Sequence, residues 1–140
     1  MPNVSNMTFE KFRVLIVDDN PVDRQILKAQ LEDLGFLYIQ EAQTGNEGIF
    51  KMENAFKVSK PFHLVVSDWK MPEKDGLTML RELKRSGILK KTWIIMLTGV
   101  NDADSIKDAI AVGVDDFMIK PTDLKLLKNK LLKLTQQAAA

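Results

Sequence analysis

The stretch VVSDWKMP, at residues 65–72, decides the predicted fold of this chain. A short apolar run leads into one carboxylate, Asp68, and the later Asp75-Gly76 pair indicates that the chain turns soon afterwards. Such a continuous apolar run is typical of a strand covered on both faces, as in parallel sheets. Because open α/β sheets place their chemistry beyond the carboxyl ends of their strands, Asp68 is the first candidate functional residue.

The composition narrows the class of protein. The chain has 140 residues, 45% of them apolar and 28% charged, as expected for one globular domain. A formal net charge of +1 gives no electrostatic reason to expect a nucleic-acid partner. The sequence has no cysteine, which excludes disulfides, zinc–thiolate sites and cysteine nucleophiles. It also has no apolar run of membrane-spanning length and no signal-peptide pattern, so we expect a cytoplasmic protein that does not bind membranes.

Strand-like apolar runs alternate with helix-like patterns along the chain. Asn20-Pro21 predicts the start of the first helix, and the spacing of Thr44 and Glu47 predicts a capping box at the second. In the fourth helix, Ile106, Ala109 and Ile110 are expected to face inward. The predicted strands are 12–17, 36–41, 63–68, 93–98 and 116–119, and the predicted helices are 21–34, 44–53, 76–86, 103–112 and 122–134.

This fivefold βα alternation predicts a doubly wound α/β fold. Right-handed crossovers place helices on both faces of a parallel sheet, and five strands suit the flavodoxin-like order 2-1-3-4-5. The expected domain covers residues 11–134, after a polar leader at 1–10 and before a tail at 135–140.

Five polar residues lie at the carboxyl ends of the predicted strands: Asp18 and Asp19, Asp68, Thr98, and Lys120. The predicted topology brings them to one edge of the sheet. Three neighbouring carboxylates repel one another, and a hard divalent cation relieves that repulsion. Magnesium prefers oxygen ligands and accepts a few carboxylates with water. The sequence therefore predicts a Mg²⁺ site at this edge.

The same residues predict phosphoryl chemistry. With one oxygen of Asp68 on the metal, the other can attack phosphorus, since aspartate is an established nucleophile for phosphoryl groups. The metal and Lys120 would neutralise charge on the transferring group, and Thr98 could donate a hydrogen bond to it. The backbone carbonyl of Lys70, in the loop after Asp68, is a further expected metal ligand.

Four motifs together resemble a response-regulator receiver domain, the phosphoacceptor half of two-component signalling. They are VDD at 17–19, SDWKMP at 67–72 with DG at 75–76, LTG at 97–99 and FMIKP at 117–121. The WKMP segment is most similar to the chemotaxis regulators of that family.

The resemblance implies a role for each site residue. Asp68 would accept phosphate from a histidine of a partner kinase or phosphotransfer domain. Asp19 would bind Mg²⁺ directly and Asp18 through water, while Lys120 would contact the phosphoryl group. The protein would then signal without being an enzyme in the ordinary sense.

The resemblance also implies a switch. Thr98 would move toward the phosphoryl group and Phe117 would turn inward, so that the face built by the fourth helix, fifth strand and fifth helix changes shape and binds an effector protein. A monomer or a weak homodimer is expected. Lys70 and Val100 occupy positions that tune phosphoryl lifetime in the family. Lys70 could compete with Mg²⁺ or alter attack by water, and apolar Val100 cannot orient a water, which predicts slow to moderate self-dephosphorylation.

Other functions remain open on the sequence alone. A degenerate receiver would bind partners without phosphorylation. Such a protein would lack one of the acids, Thr98 or Lys120, and this sequence has all of them. A Mg²⁺-dependent phosphohydrolase with an aspartate nucleophile would usually carry Asp-x-Asp after the first strand, which Asp18-Asp19-Asn20 does not match. A flavodoxin would need a hydroxyl-rich first loop. Taken alone, Asp18-Asp19 could simply favour a helix dipole, and His63 is more simply a structural residue.

Overall fold

The fold is a five-stranded parallel sheet with the strand order β2-β1-β3-β4-β5, which confirms the predicted topology. The computed structural model describes residues 9–99 and 103–139. Because all strands are parallel, their carboxyl ends meet at one edge of the sheet. The strands are β1 (Arg13–Val17), β2 (Tyr38–Ala42), β3 (Leu64–Asp68), β4 (Trp93–Thr98) and β5 (Asp116–Ile119), and the helices are α1 (Pro21–Asp33), α2 (Gly45–Lys57), α3 (Gly76–Arg85), α4 (Ala103–Val112) and α5 (Leu124–Ala139).

The core lies on both faces of the sheet. Every residue of β3 is buried, and successive side chains of the strand point to opposite faces. Val65 belongs to the apolar cluster that includes Leu80 of α3, whereas Val66 belongs to the cluster that includes Leu27 of α1 and Leu131 of α5. The uninterrupted apolar run of β3 is therefore explained by burial on two sides.

The predicted helix starts are confirmed by their hydrogen bonds. The Asn20 side chain accepts hydrogen bonds from the backbone N–H groups of Val22 and Asp23, at 2.9 and 3.1 Å. Thr44 Oγ1 accepts one from the backbone N–H of Glu47 at 3.1 Å. Both caps satisfy backbone donors that an isolated first turn leaves without partners.

Several predicted boundaries are wrong. Helix α2 continues to Lys57 rather than ending near residue 53, because 54–57 contain no glycine or proline that would stop it. Strand β2 begins at Tyr38 rather than at Phe36, since the Phe36 side chain turns into the core and its backbone N–H bonds to Leu31. Helix α5 begins at Leu124, two residues later than predicted.

Residues on both sides of the expected domain, 11–134, pack with its core or continue its last helix. Phe9, assigned to the polar leader, is 6% exposed and stacks on Phe36 with ring centroids 4.6 Å apart. At the other end, α5 runs through Ala139, so its predicted end at residue 134 is wrong. Thr135, assigned to the tail, is buried in that helix. Glutamine and alanine, which follow Thr135, are good helix formers, so nothing local ends the helix at Leu134.

One predicted inward residue faces solvent. Ala109 of α4 is buried, but Ile110 is 61% exposed. Consecutive helical residues point about 100° apart, and the buried face of α4 follows Ala109 and Val112. Within the described residues, no helix has both the length and the apolar character needed to cross a bilayer.

Candidate functional site: an acidic pocket at the carboxyl edge of the sheet

The loop after β1 holds Asp18 in a fixed position. The backbone N–H of Asp18 donates to Ala42 at 3.0 Å, and its backbone oxygen accepts from Arg24 Nη1 at 2.7 Å. Its Oδ1 accepts from the backbone N–H of Asn20 at 2.9 Å. Asp18 is fully buried, whereas the neighbouring Asp19 is exposed. The pair thus offers one carboxylate inside the protein and one at its surface.

Hydrogen bonds of the loop after β3 likewise fix the position of Asp68. Ser67 Oγ donates to the backbone oxygen of Asp68 at 3.0 Å. The backbone N–H of Trp69 donates to Leu97 in β4, and that of Gly76 donates to Trp69, both at 2.8 Å. These bonds fold the loop back over the sheet edge and leave Asp68 only 9% exposed.

Lys120 connects the acidic residues. Its ammonium Nζ lies 2.8 Å from Asp18 Oδ2, 3.0 Å from Asp23 Oδ2 and 3.1 Å from Asp68 Oδ2. Its backbone N–H donates to the backbone oxygen of Thr98 at 2.8 Å, which joins the ends of β4 and β5. The structure therefore brings Asp18, Asp68 and Lys120 together as the sequence predicted.

The charges in this pocket shift the pKa values of two groups. Burial raises the pKa of Asp68, and the nearby charges of Asp18 and Asp19 raise it further, against the opposing contact with Lys120. Burial alone would lower the pKa of Lys120, but its hydrogen bonds to Asp18, Asp23 and Asp68 outweigh burial and raise it. Lys120 is therefore charged at neutral pH, and Asp68 takes up a proton more readily than an ordinary carboxyl group.

The acids fit a divalent cation. One carboxylate oxygen from each of Asp18, Asp19 and Asp68 lies within 4.8 Å of the others. Asp23 adds a third carboxylate around Lys120, beside those of Asp18 and Asp68, so one ammonium faces more negative charge than it can neutralise. Oxygen donors in this number suit Mg²⁺, which keeps several waters and needs few protein ligands.

A cavity of about 250 Å³ opens beside Asp68. Lys70 is exposed at its margin, and the ammonium that contacts the buried carboxylates of Asp18 and Asp68 is that of Lys120. Thr98 is buried at the end of β4, on the same cavity. The cavity is lined by Asp68, Trp69, Lys70, Thr98, Gly99 and Lys120.

Phe117, the predicted aromatic switch residue, lies in β5. Phe117 is partly buried against the cluster that contains Val65, and Lys130 Nζ lies 5.8 Å from its ring centroid. Lys130 also forms an ion pair with Asp116 at 2.8 Å. Val100, the second predicted tuning residue, lies outside the described residues.

Sequence reasoning missed two residues of the first turns of α1. Asp23 binds Lys120, and Arg24 binds the backbone oxygen of Asp18 while its Nε donates to Glu41 at 3.0 Å. A signal was present, because a helix that starts at Pro21, three residues after Asp18, must keep its first turns near the carboxyl edge of the sheet.

Residues 14–132 match the family model of the response regulator receiver domain. The chain belongs to that family. It is 33% identical over 125 residues to the chemotaxis protein CheY of Pseudomonas aeruginosa, covering 89% of this chain and 97% of that protein. It is 32% identical to chemotaxis protein CheY-3 of Vibrio cholerae, covering 91% of this chain and 95% of that protein.

Solved receiver structures have the same fold. The CheX–CheY–BeF3–Mg²⁺ complex from Borrelia burgdorferi matches with a TM-score of 0.80 and 27% identity, covering 89% of both chains. A response regulator receiver protein from Pseudomonas putida matches with a TM-score of 0.74 and 30% identity, covering 87% of this chain and 96% of that one. The receiver family binds Mg²⁺ at an acidic pocket. The chain is thus homologous to CheY-type single-domain response regulators of two-component signalling, and neither a flavodoxin nor a phosphohydrolase is favoured.

Proposed function

We propose that Asp68 is the phosphoacceptor of this receiver domain and that Mg²⁺ binds at Asp18, Asp19 and Asp68. The observation that carries the proposal is the position of Lys120. Its ammonium lies 3.1 Å from Asp68 beside an open cavity, so it can donate to an oxygen of a phosphoryl group held at Asp68. Such a clamp supplies the charge neutralisation on which phosphoryl transfer depends.

The transfer step is a displacement at phosphorus. A carboxylate oxygen of Asp68 forms a bond to phosphorus while the P–N bond of a partner phosphohistidine breaks, and the imidazole leaves with its electron pair. The product is an acyl phosphate. Mg²⁺, held by the three carboxylates and the backbone carbonyl of Lys70, would neutralise charge on the phosphoryl oxygens. Lys120 holds one of those oxygens, and the Thr98 hydroxyl reaches another as the switch responds.

The input is a histidine kinase or a histidine phosphotransfer domain, and the output is an effector protein. The face formed by α4, β5 and α5 suits an effector because it exposes apolar side chains beside the cluster that contains Phe117. Ile110 of α4 is 61% exposed, Ile119 of β5 45% and Leu126 of α5 42%. Exposed apolar side chains at one face are typical of protein interaction sites. Inward rotation of Phe117 would reshape that face.

The test is phosphorylation by a small donor. The protein is incubated with MgCl2 and acetyl phosphate, and its intact mass is measured with time. We expect one added phosphate in the wild type and in Asp108→Asn, an exposed acid on α4 that serves as the matched control. We expect none in Asp68→Asn, and none in the wild type when EDTA removes the metal.

A phosphate adduct that persists in Asp68→Asn would contradict the assignment of Asp68. If the wild type gains no phosphate but still binds a protein partner, the chain acts instead as a phosphorylation-independent binding module. Several expectations remain predictions: the cytoplasmic location, the lack of a nucleic-acid partner, a monomeric or weakly dimeric state, and the tuning of phosphoryl lifetime by Lys70 and Val100.

A further inference from the structure

The ammonium of Lys120 is fully occupied by carboxylates. A lysine has three N–H donors and no acceptor, and Lys120 Nζ lies within 3.1 Å of each of Asp18, Asp23 and Asp68. One of these contacts must therefore be released before Lys120 can donate to a phosphoryl oxygen. The three contacts differ in how readily they can be released.

Asp23 is the partner that is easiest to release. Its side chain is 39% exposed, against 1% for Asp18 and 12% for Asp68. Water can replace Lys120 at Asp23, whereas the two buried carboxylates would lose a hydrogen bond without gaining water. Asp18 and Asp68 also belong to the cluster that fits a cation, and Asp23 does not.

Asp23 also has a purely structural role in its helix, and a test must distinguish that role from an effect on Lys120. It lies in the first turn of α1, where its backbone N–H donates to the Asn20 side chain. Negative charge there stabilises a helix through its dipole. That role does not require contact with Lys120, yet the side chain spans from α1 to the end of β5 to make one.

We propose that Asp23 is a positioning residue that competes with the phosphoryl group for Lys120 and thereby slows phosphorylation of Asp68. The inference rests on the proposed function of Asp68. In the resting protein Asp23 takes the third N–H of Lys120. When a donor enters the cavity, its phosphoryl oxygen replaces the Asp23 carboxylate, and Asp23 moves to water. Asp23 forms no covalent bond in this step. It affects the rate of phosphorylation only by holding the ammonium of Lys120.

The experiment measures initial rates of phosphorylation by intact mass with MgCl2, for Asp23→Ala, Asp23→Asn and Asp23→Glu. We expect Asp23→Ala to react roughly two- to fivefold faster than the wild type, the range that corresponds to a partly exposed ion pair. Asp23→Asn should lie between them, because its amide oxygen still accepts a hydrogen bond. Asp23→Glu should restore the slow rate, and Asp33→Asn, at the far end of α1, is the matched control.

Two phosphodonors of different net charge distinguish competition for Lys120 from electrostatic repulsion between Asp23 and the donor. Acetyl phosphate carries more net negative charge than phosphoramidate, so loss of a repelling carboxylate would accelerate the reaction with acetyl phosphate more than the reaction with phosphoramidate. Competition for Lys120 predicts a similar gain with both donors. A helix-dipole role alone predicts lower thermal stability in Asp23→Ala and no gain in rate.

The proposal is overturned if Asp23→Ala reacts no faster than the wild type, if its gain in rate is larger with acetyl phosphate than with phosphoramidate, or if Asp33→Asn shows the same gain. Failure of the proposed function has a different signature, since the wild type itself would then gain no phosphate on Asp68.

Discussion

Polar side chains at the two edges of the sheet have different kinds of hydrogen-bond partner. At the carboxyl edge, acidic side chains from the loop after β1, from α1 and from β3 share one ammonium, that of Lys120. At the amino edge, side chains bond to neighbouring main chain. Arg13 Nε donates to Pro61, Thr92 Oγ1 donates to Phe62, His63 Nδ1 accepts from the backbone N–H of Arg13, and Asp115 Oδ2 accepts from that of Ile94.

Aromatic packing completes the amino edge. Phe12 lies 5.7 Å from Phe9, 6.4 Å from Phe36, 5.2 Å from His63 and 5.7 Å from Trp93, measured between ring centroids. Aromatic pairs at such distances are stabilising. Polar groups here are satisfied locally and surrounded by apolar surface, so this edge closes the core.

The difference shows where the fold holds uncompensated charge. A buried polar group is tolerated when it is hydrogen-bonded, and the amino edge meets that condition with main-chain partners. The carboxyl edge meets it only in part, because several carboxylates depend on one cation. That excess of negative charge leaves the carboxyl edge suited to bind a metal ion.

The largest effect is expected from Lys120→Ala. Removing one partner of a buried ion pair leaves the other charges unpaired, which costs about 3 kcal/mol of unfolding free energy. Urea unfolding in EDTA measures the loss, and MgCl2 should recover part of it by replacing the missing cation. Lys90→Ala, at the amino edge, is the control and should change the unfolding free energy by less than about 0.5 kcal/mol. Equal losses in the two variants would contradict the contrast.

Alanine substitutions of glycines at the two edges should lower the unfolding free energy by different amounts. A Cβ at Gly76 would lie 2.3 Å from the backbone oxygen of Asp68, so Gly76→Ala should cost about 2 kcal/mol and displace the acceptor loop. Gly35, at the amino edge, has a φ of +103° and open space around it. Gly35→Ala should cost about 1 kcal/mol from backbone strain alone. Urea unfolding and the phosphorylation rate distinguish them, because only Gly76→Ala should slow phosphorylation.

Protonation of Asp68, at the carboxyl edge, should stabilise the metal-free protein. Because burial raises the pKa of Asp68 above its ordinary value of 3.8, the folded protein binds more protons than the unfolded chain between those two pKa values. The contribution of Asp68 to stability therefore falls as pH rises through that range. In EDTA, Asp68→Asn should be more stable than the wild type at pH 7, and the difference should vanish below about pH 4. Thermal unfolding against pH checks this, and a less stable Asp68→Asn at pH 7 would contradict it.

Protonation of His63, at the amino edge, should destabilise the protein. Burial, and then the charge of Arg13, lower the pKa of His63 below its ordinary value of 6.5. The unfolded chain then takes up a proton first as pH falls below 6.5, so the contribution of His63 to stability decreases from there down to its lowered pKa. We expect His63→Gln to lose this acid sensitivity. Asp68→Asn is the control and should retain the loss of stability below pH 6.5 that is due to His63, as measured by thermal unfolding against pH.

Much of the fold and the site could be predicted from residues near one another in the chain. The buried run before Asp68, the helix caps at Asn20 and Thr44, and the five alternating βα units predicted the strand order. The same alternation placed Asp18 and Lys120 at one edge, since parallel strands end together. Errors fell where no strong local signal exists, as at the ends of α2 and α5.

The sequence by itself therefore determined the fold class, the buried strands and the types of group at the carboxyl edge. Only the tertiary structure decided how those groups share contacts. Asp23 faces Lys120, 97 residues away in sequence, because α1 begins beside the end of β5, and Phe9 joins the core because Phe36 turns toward it. Periodicity reports which face of an element is apolar, whereas a contact between distant side chains depends on how whole elements pack.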